Sequence, residues 1–216
     1  MTRINVIFHS VTGHTAKLAQ SIAEGVESLG GCTAALKQIP ELPGQGPVTM
    51  TNLPAQKEAF AELPLAGTDD MLDCDGFAFG TAVYWGNMSY AAKYFLDTTA
   101  NLYTLSAPDQ PARPNPGMFG KPVTVFTGGG NGLANEPAIL GIYMALSFFG
   151  VTLVTLGPRL PEVTDPKRHG GGNTLGAGTF SRTPGERPSM DERAIARVQG
   201  RALAETARAW KERRRD

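Results

Sequence analysis

The sequence predicts a doubly wound α/β fold, in which helices cover both faces of a parallel sheet. Short apolar runs typical of strands recur along the chain, and helical patterns lie between most of them. The predicted strands are apolar on both faces, which is typical of parallel strands buried between two helical layers. Ligands of such sheets bind beyond the carboxyl ends of the strands, so the informative loops follow strands one, three and four.

Five apolar runs are the predicted strands. They are INVIF (4–8), TAALK (33–37), GFAFG (76–80), VTVFT (123–127) and TLVTL (152–156). Right-handed crossovers through the intervening helices would join them into one parallel sheet.

Three of the predicted helices lie between these strands. The first ends at Gly30-Gly31 and has one apolar face, made by Leu18, Ile22, Val26 and Leu29. Two more run from Met88 to Thr98 and from Ala134 to Phe149. The strands and helices therefore alternate along the chain.

The last predicted helix begins at Ser189. Glu192 stands three residues later, which predicts a capping box, and an apolar stripe follows at Ile195, Val198 and Ala202. We expect this helix to pack over the first strands.

Composition disfavours polyanion binding and membrane insertion. The chain has 20 Lys and Arg against 20 Asp and Glu, so no general field draws nucleic acid or an anionic membrane. No apolar run approaches the roughly 20 residues of a membrane span. Neither Cys32 nor Cys74 belongs to a C-x-x-C motif, so no iron–sulfur cluster, zinc ribbon or disulfide is expected. We expect a single domain over residues 1–216 and, with no apolar leader before the first strand, a cytoplasmic location.

The loop after the first strand, SVTGHT at 10–15, is shaped to bind a phosphate. Gly13 lets the chain turn sharply, while Ser10, Thr12 and Thr15 carry hydroxyls beside the unpaired amides of the next helix. A helix N-terminus favours negative charge. The alternative is an ordinary capped turn, because Ser and Thr are common N-caps.

The loops after the third and fourth strands suit a planar ligand. Tyr84 and Trp85 precede a helix that Asn87 could cap, and TGGGNGLANEP (127–137) has four glycines that let the backbone approach a flat ring. The first strand is followed by neither G-x-x-x-x-G-K-[ST] nor G-x-G-x-x-G, which disfavours ATP hydrolysis and a NAD-binding Rossmann domain.

These motifs, in this order and spacing, resemble the WrbA-type NAD(P)H:quinone oxidoreductases of the flavodoxin-like superfamily, which bind FMN. The similar stretches are SVTGHT, GTAVYWGNMSYAAKYFLDTTANLY, GKPVTVFTGGGNG, GGGNTLGAG and GERPSMDERAIARVQGRALA, and they cover most of residues 3–210. The resemblance implies one flavodoxin-like domain with a five-stranded sheet of order 2-1-3-4-5. Its long loops would lie at about 40–68, 104–120 and 157–189.

The same resemblance implies which residues hold FMN. Those at the phosphate are Ser10, Thr12, Gly13, His14 and Thr15. Those lining the isoalloxazine are Ala82, Val83, Tyr84, Trp85, Gly86, Asn87, Thr127, Gly128, Gly129, Gly130, Asn131 and Gly132. Tyr103 stands where the family has an aromatic residue near the nicotinamide and quinone pocket, and Phe149 stands near the place of a histidine that often faces it.

The implied activity is FMN-dependent NAD(P)H:quinone oxidoreduction. A hydride from NADH or NADPH would pass to flavin N5, and a quinone would then take two electrons in a ping-pong cycle. We expect no catalytic side chain and no metal, because stacking and backbone amides can position the donor and His9, His14 and His169 lack ligand spacing. His9 is expected to be structural. A flavodoxin-type electron carrier, which the neutral charge disfavours, and a flavin-free binding or scaffolding protein are the alternatives.

Two further segments indicate a cover and an interface. The Gly- and Pro-rich residues 157–189 are expected to cover the flavin, because loops this long in a compact domain are usually functional. The helical run AILGIYMALSFF (138–149) is apolar nearly all round, which indicates burial between its own sheet and a neighbouring subunit. We therefore expect a homodimer or a homotetramer.

Overall fold

The computed structural model describes residues 1–48, 60–104, 113–130, 134–158, 160–164, 172–182 and 186–214. Its strands are β1 (Thr2–Phe8), β2 (Cys32–Gln38), β3 (Gly76–Tyr84), β4 (Asn87–Met88), β5 (Tyr103–Thr104), β6 (Arg113–Pro114), β7 (Pro122–Gly129), β8 (Thr152–Leu153) and β9 (Gly178–Phe180). Its helices are α1 (His14–Glu27), α2 (Tyr90–Thr98), α3 (Asn135–Ser147), α4 (Pro161–Thr164) and α5 (Met190–Arg213).

A parallel sheet forms the centre, with its main strands in the order β2-β1-β3-β7-β8. The register of β1 places Ile4 beside Ala34 on one side and Gly76 on the other. In the parallel pair of β3 and β7, Thr81 lies beside Thr127, so both strands end near the same edge of the sheet. The predicted α/β class is confirmed.

The strand order differs in detail from the prediction, because two short strands share the place of the predicted fifth strand. β8 pairs with the start of β7, where Thr152 lies beside Pro122, and β9 pairs with its end, where Gly178 lies beside Thr127. The predicted strand 152–156 is therefore too long. The strand ends at Leu153, and a later segment, β9, completes the sheet edge.

Helices cover both faces of the sheet. On one face α1 and α5 pack against each other and over β1, β3 and β7, around a core that includes Leu18, Ile22 and Leu203. On the other face α2 and α3 enclose a second core that includes Phe77 and Ile142. The predicted position of the last helix over the first strands is confirmed.

The helix ends agree with the prediction at α5 and disagree at α2. At α5, the Ser189 hydroxyl accepts from the Glu192 amide, and the Glu192 carboxylate accepts from the Ser189 amide, as in the predicted capping box. At α2, Ser89 is the N-cap and accepts from the Ala92 amide. Asn87 belongs to β4 instead, so its predicted capping role is wrong.

The long segments at 40–68, 104–120 and 157–189 contain little regular structure where they are described. β5 and β6 form an antiparallel ribbon within the second, and the third contains α4 and β9. Within the described ranges, no helix combines the length and the apolar character that crossing a membrane requires.

Candidate functional site

The loop after β1 reaches α1 through a left-handed residue. Gly13 has a φ of 85° and is the N-cap of α1, and it has no side chain with which to make a capping hydrogen bond. The Ser10 hydroxyl accepts from the Ala16 amide at 3.2 Å, and the Thr12 hydroxyl lies 2.8 Å from His14 Nδ1. These internal hydrogen bonds hold the loop in shape. The partial positive charge of the first helical turn remains available to an anion.

His14 is half-buried at this helix end, and its pKa lies below the ordinary value. Burial is the largest cause, the nearby Lys17 ammonium lowers the pKa further, and the Glu192 carboxylate opposes both. Since the ordinary value is 6.5, the imidazole is mostly neutral at pH 7. A dianion bound beside it would raise the pKa again.

Thr15 joins this loop to the glycine segment at the end of β7. Its side chain is buried, and a Cβ added at Gly128 would lie only 2.5 Å from Thr15 Oγ1. The loop after β1 can therefore touch β7 because Gly128 has no side chain. The Thr15 hydroxyl packs against this glycine rather than facing solvent.

The loop after β3 is a hairpin rather than the predicted open loop. Tyr84 pairs with Asn87, so Trp85 and Gly86 form a two-residue turn, with φ values of 54° and 74°. Such turns require left-handed residues and normally use Asn or Gly there. Trp85 is fully exposed at the tip, with its indole in solvent. Its left-handed backbone conformation costs roughly 1–2 kcal/mol.

Tyr84 is fixed below this tip. Its hydroxyl donates to the Val48 carbonyl at 2.7 Å. Burial first, and the Glu41 carboxylate second, raise its pKa. Tyr84 therefore stays protonated and uncharged at neutral pH.

These loops converge on one cleft at the carboxyl ends of the strands. The residues that line it are Val11, Thr12, Ala82, Val83, Tyr84, Gly128, Gly129, Gly130, Ser181 and Arg182. The predicted loops after β1, β3 and β7 are thus brought together. Ser10, Gly13, His14 and Thr15 lie in the adjoining loop and the helix that follows it, Trp85, Gly86 and Asn87 in the hairpin, and Thr127 just before the glycines. Asn131 and Gly132 lie outside the described residues.

Ser181 and Arg182 are cleft residues that no motif in the sequence singles out. They come from the segment 157–189, which was expected as a cover, and they reach the cleft because β9 pairs with β7. The Ser181 amide and hydroxyl both donate to the Gly129 carbonyl, at 2.8 and 3.0 Å. This contact depends on the pairing of two strands that lie about 50 residues apart in the chain. Local periodicity cannot reveal such a pairing.

His9 directly follows β1 and links this strand to neighbouring elements. It is fully buried, with Nδ1 2.8 Å from the Ser89 hydroxyl and Nε2 3.2 Å from a Glu41 carboxylate oxygen. The Tyr90 hydroxyl also donates to Glu41, and the Tyr90 ring meets the imidazole edge-on. His9 ties the end of β1 to the N-cap of α2, which agrees with its expected structural role.

Tyr103 and Phe149 lie away from this cleft. The Tyr103 hydroxyl donates to the Phe148 carbonyl at 2.7 Å, and the two rings of Tyr103 and Phe149 are 5.0 Å apart. Because α3 runs back along β7, Phe149 ends beside the start of that strand, about 23 Å from its glycine end. Within one chain, Tyr103 and Phe149 therefore do not line the cleft, and their place at a nicotinamide and quinone pocket stays a prediction. They line a separate apolar groove with Leu96 and Ala100.

Comparison with known proteins agrees with this architecture. Residues 2–149 match the model of a family described as NADPH-dependent FMN reductase. A WrbA-like flavodoxin of Agrobacterium tumefaciens superposes with a TM-score of 0.62 at 20% identity, covering 97% of this chain and 99% of that chain.

Two other solved structures show the same likeness. Flavodoxin 1 of Bacillus cereus gives a TM-score of 0.57 at 13% identity, covering 94% of this chain and 98% of that one. An oxidoreductase of Corynebacterium diphtheriae gives 0.55 at 16%, covering 98% of each. At these identities the structures show the fold, which is the predicted flavodoxin-like one. Since the family match spans more than half of the sequence, the chain belongs to the NADPH-dependent FMN reductase family, a family of flavoprotein oxidoreductases.

Proposed function

We propose that the protein is an FMN-dependent NAD(P)H:quinone oxidoreductase. The convergence of the loops after β1, β3 and β7 on one cleft carries this proposal. One of these loops presents a helix N-terminus, one an aromatic wall and one a wall of glycine backbone. A phosphate, a planar ring and a polar ring edge need these three features together.

The residues of the site fit FMN. Gly13, the N-cap of α1, makes no side-chain hydrogen bond to the first helical turn, which suits the phosphate. Thr127 Oγ1 is buried at the end of β7 and has no hydrogen-bond partner within the described structure, nor has Asn135 Oδ1 at the start of α3. A buried polar atom without a partner costs about 1–3 kcal/mol. These two atoms mark a place that a polar ligand or water would complete.

FMN, once bound, would supply hydride acceptance from NADH or NADPH and two-electron transfer to a quinone. The protein's own contribution is binding and positioning. Ser10 and the Thr12–His14 pair keep the phosphate loop in its binding shape. Tyr84, held through Val48, offers an uncharged wall, and the exposed Trp85 can turn over the cleft to exclude water. No side chain is required to give or take a proton for hydride transfer.

A spectroscopic series tests the proposal. FMN added to the purified protein should be retained and show the shifted visible bands of a bound flavin. Anaerobic NADH or NADPH should then bleach it, and benzoquinone should restore the colour. A flavin that neither nucleotide bleaches would identify an electron carrier, and failure to retain FMN would identify a flavin-free protein.

We also propose that two copies associate through the outer face of α3. Leu140, Met144 and Phe148 recur at intervals of four residues and are 51%, 65% and 71% exposed. Glu136, one turn before Leu140, is the only charged residue in α3, so no charge lies between Leu140 and Phe148. Burying it in a homodimer or homotetramer would remove the apolar surface from water. Sedimentation should show a dimer or larger species that Met144→Glu converts to monomers, whereas a monomeric wild type would contradict the proposal.

A further inference from the structure

The backbone before Arg182 is held by hydrogen bonds beside the glycines that line the cleft. The residue before it, Ser181, donates twice to the Gly129 carbonyl. Before Ser181, the Thr179 hydroxyl and the Phe180 amide donate to the buried Glu192 carboxylate at 2.9 and 3.0 Å. The backbone that carries Arg182 is therefore fixed to both β7 and α5.

The side chain of Arg182 lies over bare backbone. A Cβ added at Gly130 would come within 3.2 Å of Arg182 Cδ and 3.6 Å of Nε. The absence of a side chain at Gly130 thus lets the arginine stem lie along the cleft wall. Arg182 is exposed and lines the cleft, so a ligand seated there lies within reach of its side chain.

Arg182 also sets the charge of the cleft. It is the only charged residue among the described residues that line it. Glu192, the carboxylate behind β9, is ion-paired with Arg187 at 3.2 Å. Substitution of Arg182 therefore removes the positive charge from the described residues that line the cleft.

The proposed reaction changes the charge of that occupant. When a hydride leaves C4 of the nicotinamide and bonds to N5 of the flavin, a C–H bond breaks and an N–H bond forms. The nicotinamide gains one positive charge and the flavin ring one negative charge. A fixed cation beside the ring binds the product of this step more tightly than the neutral ring before it.

We propose that Arg182 stabilises the anionic reduced flavin, and so sets the reduction potential of the bound cofactor. This inference rests on the proposed function, because it requires FMN in the cleft. Arg182 would act through its charge, so its removal should weaken the binding of reduced FMN more than the binding of oxidised FMN.

The test compares Arg182→Gln, Arg182→Lys and wild type, with Arg197→Gln as the control. Arg197 lies on α5 and pairs with Glu24 at the surface, so its loss changes the net charge equally but not the charge of the cleft. Each protein is loaded with FMN, its two-electron midpoint potential is measured by dye equilibration, and the affinity for oxidised FMN is measured by titration.

Arg182→Gln should bind oxidised FMN within about twofold of wild type but lose about tenfold of the preference for the reduced form. For a two-electron couple this is a fall of about 30 mV. Arg182→Lys should recover at least half of the shift, and Arg197→Gln should show none.

An unshifted potential in Arg182→Gln, an equal shift in Arg197→Gln, or a loss of oxidised FMN affinity without a change in potential would each overturn the assignment of Arg182. Wild-type protein that retains no FMN would overturn the proposed function, and this inference with it. Normal FMN retention with an unshifted variant would overturn the inference alone.

Discussion

The two ends of the central sheet use polar groups in opposite ways. At the amino ends of the strands, Lys121 is buried just before β7, and its Nζ donates to the carbonyls of Met71 and Leu72 at 2.7 and 2.8 Å. Nearby, the carboxylate of Asp75 accepts from Lys211 at 2.7 Å. These polar groups therefore have hydrogen-bond partners within the protein.

At the carboxyl ends of the strands, a buried polar atom is unpaired within the described structure and one residue is strained. Thr127 Oγ1 is buried without a partner in the described structure, and Trp85 is held in a left-handed conformation with its side chain in solvent. Strain and unpaired groups persist where function needs them. The difference teaches that polar groups at the amino ends stabilise the fold, whereas the groups at the carboxyl ends fit the proposed ligand site. Substitutions at the two ends should therefore separate stability from binding.

The largest expected effect is at the glycine wall. Gly128→Ala would place a methyl group 2.5 Å from Thr15 Oγ1 and push the phosphate loop away from β7. We expect FMN affinity to fall about a hundredfold, or about 2.7 kcal/mol, by fluorescence titration. Gly67→Ala is the matched control, because a Cβ there meets no heavy atom within 4 Å. Equal affinities for the two variants would show that this contact does not shape the site.

A change at the other end should have the opposite signature. Lys121→Met leaves the carbonyls of Met71 and Leu72 without their donor, and should lower the free energy of unfolding by about 2 kcal/mol in urea denaturation. Its FMN affinity should stay within about twofold of wild type. Lys93→Met is the control, since that exposed lysine only pairs with Asp97 along α2 and should cost less than about 1 kcal/mol. A strong loss of FMN binding in Lys121→Met would remove the distinction between the two ends.

A gain in stability should accompany a loss of binding at the hairpin tip. Trp85→Asn relieves the left-handed strain, because Asn tolerates that conformation, and should stabilise the protein by about 1 kcal/mol. It also removes an aromatic surface beside the cleft, so FMN affinity should fall about tenfold. Thermal unfolding and FMN titration of the same preparation measure both effects. A variant that is destabilised and still binds FMN normally would refute this account of Trp85.

The smallest effect should come from His14. Its folded pKa lies below the unfolded value of 6.5 because burial disfavours the charged imidazole. The unfolded chain therefore binds more protons, so the stability that His14 contributes is present above pH 6.5 and is lost as pH falls through the folded pKa. His14→Gln should flatten this part of the stability profile. In NMR titrations the imidazole pKa should rise when inorganic phosphate is added, and no change would place the anion elsewhere.

Much of this architecture could be predicted from local patterns. The alternation of apolar runs with amphipathic helices predicts the layers, and the Ser189–Glu192 spacing predicts the start of α5. The sharp turn into α1 could also be predicted, since Gly13 stands directly before the helix in sequence. Each of these features depends on residues within a few positions of one another.

The errors all involve non-local pairing. The hairpin of β3 and β4 moves Asn87 away from the helix start, and β9 reaches β7 from about 50 residues along the chain, bringing Arg182 to the cleft. The return of α3 along β7 likewise places Tyr103 and Phe149 in a groove apart from the cleft. Local periodicity carries no information about such registers, which are set by tertiary packing.

The most direct test of the central claim compares FMN with riboflavin, which lacks the phosphate. The claim is that the loop at 10–15 and the N-terminus of α1 hold that phosphate. Calorimetric titration should show FMN binding at micromolar Kd or tighter and riboflavin binding more weakly. The double variant Thr12→Ala, Thr15→Ala should lose at least about tenfold, or about 1.4 kcal/mol, of FMN affinity while its riboflavin affinity stays unchanged. Equal binding of FMN and riboflavin by wild type, or FMN affinity unchanged in the double variant, would contradict the claim.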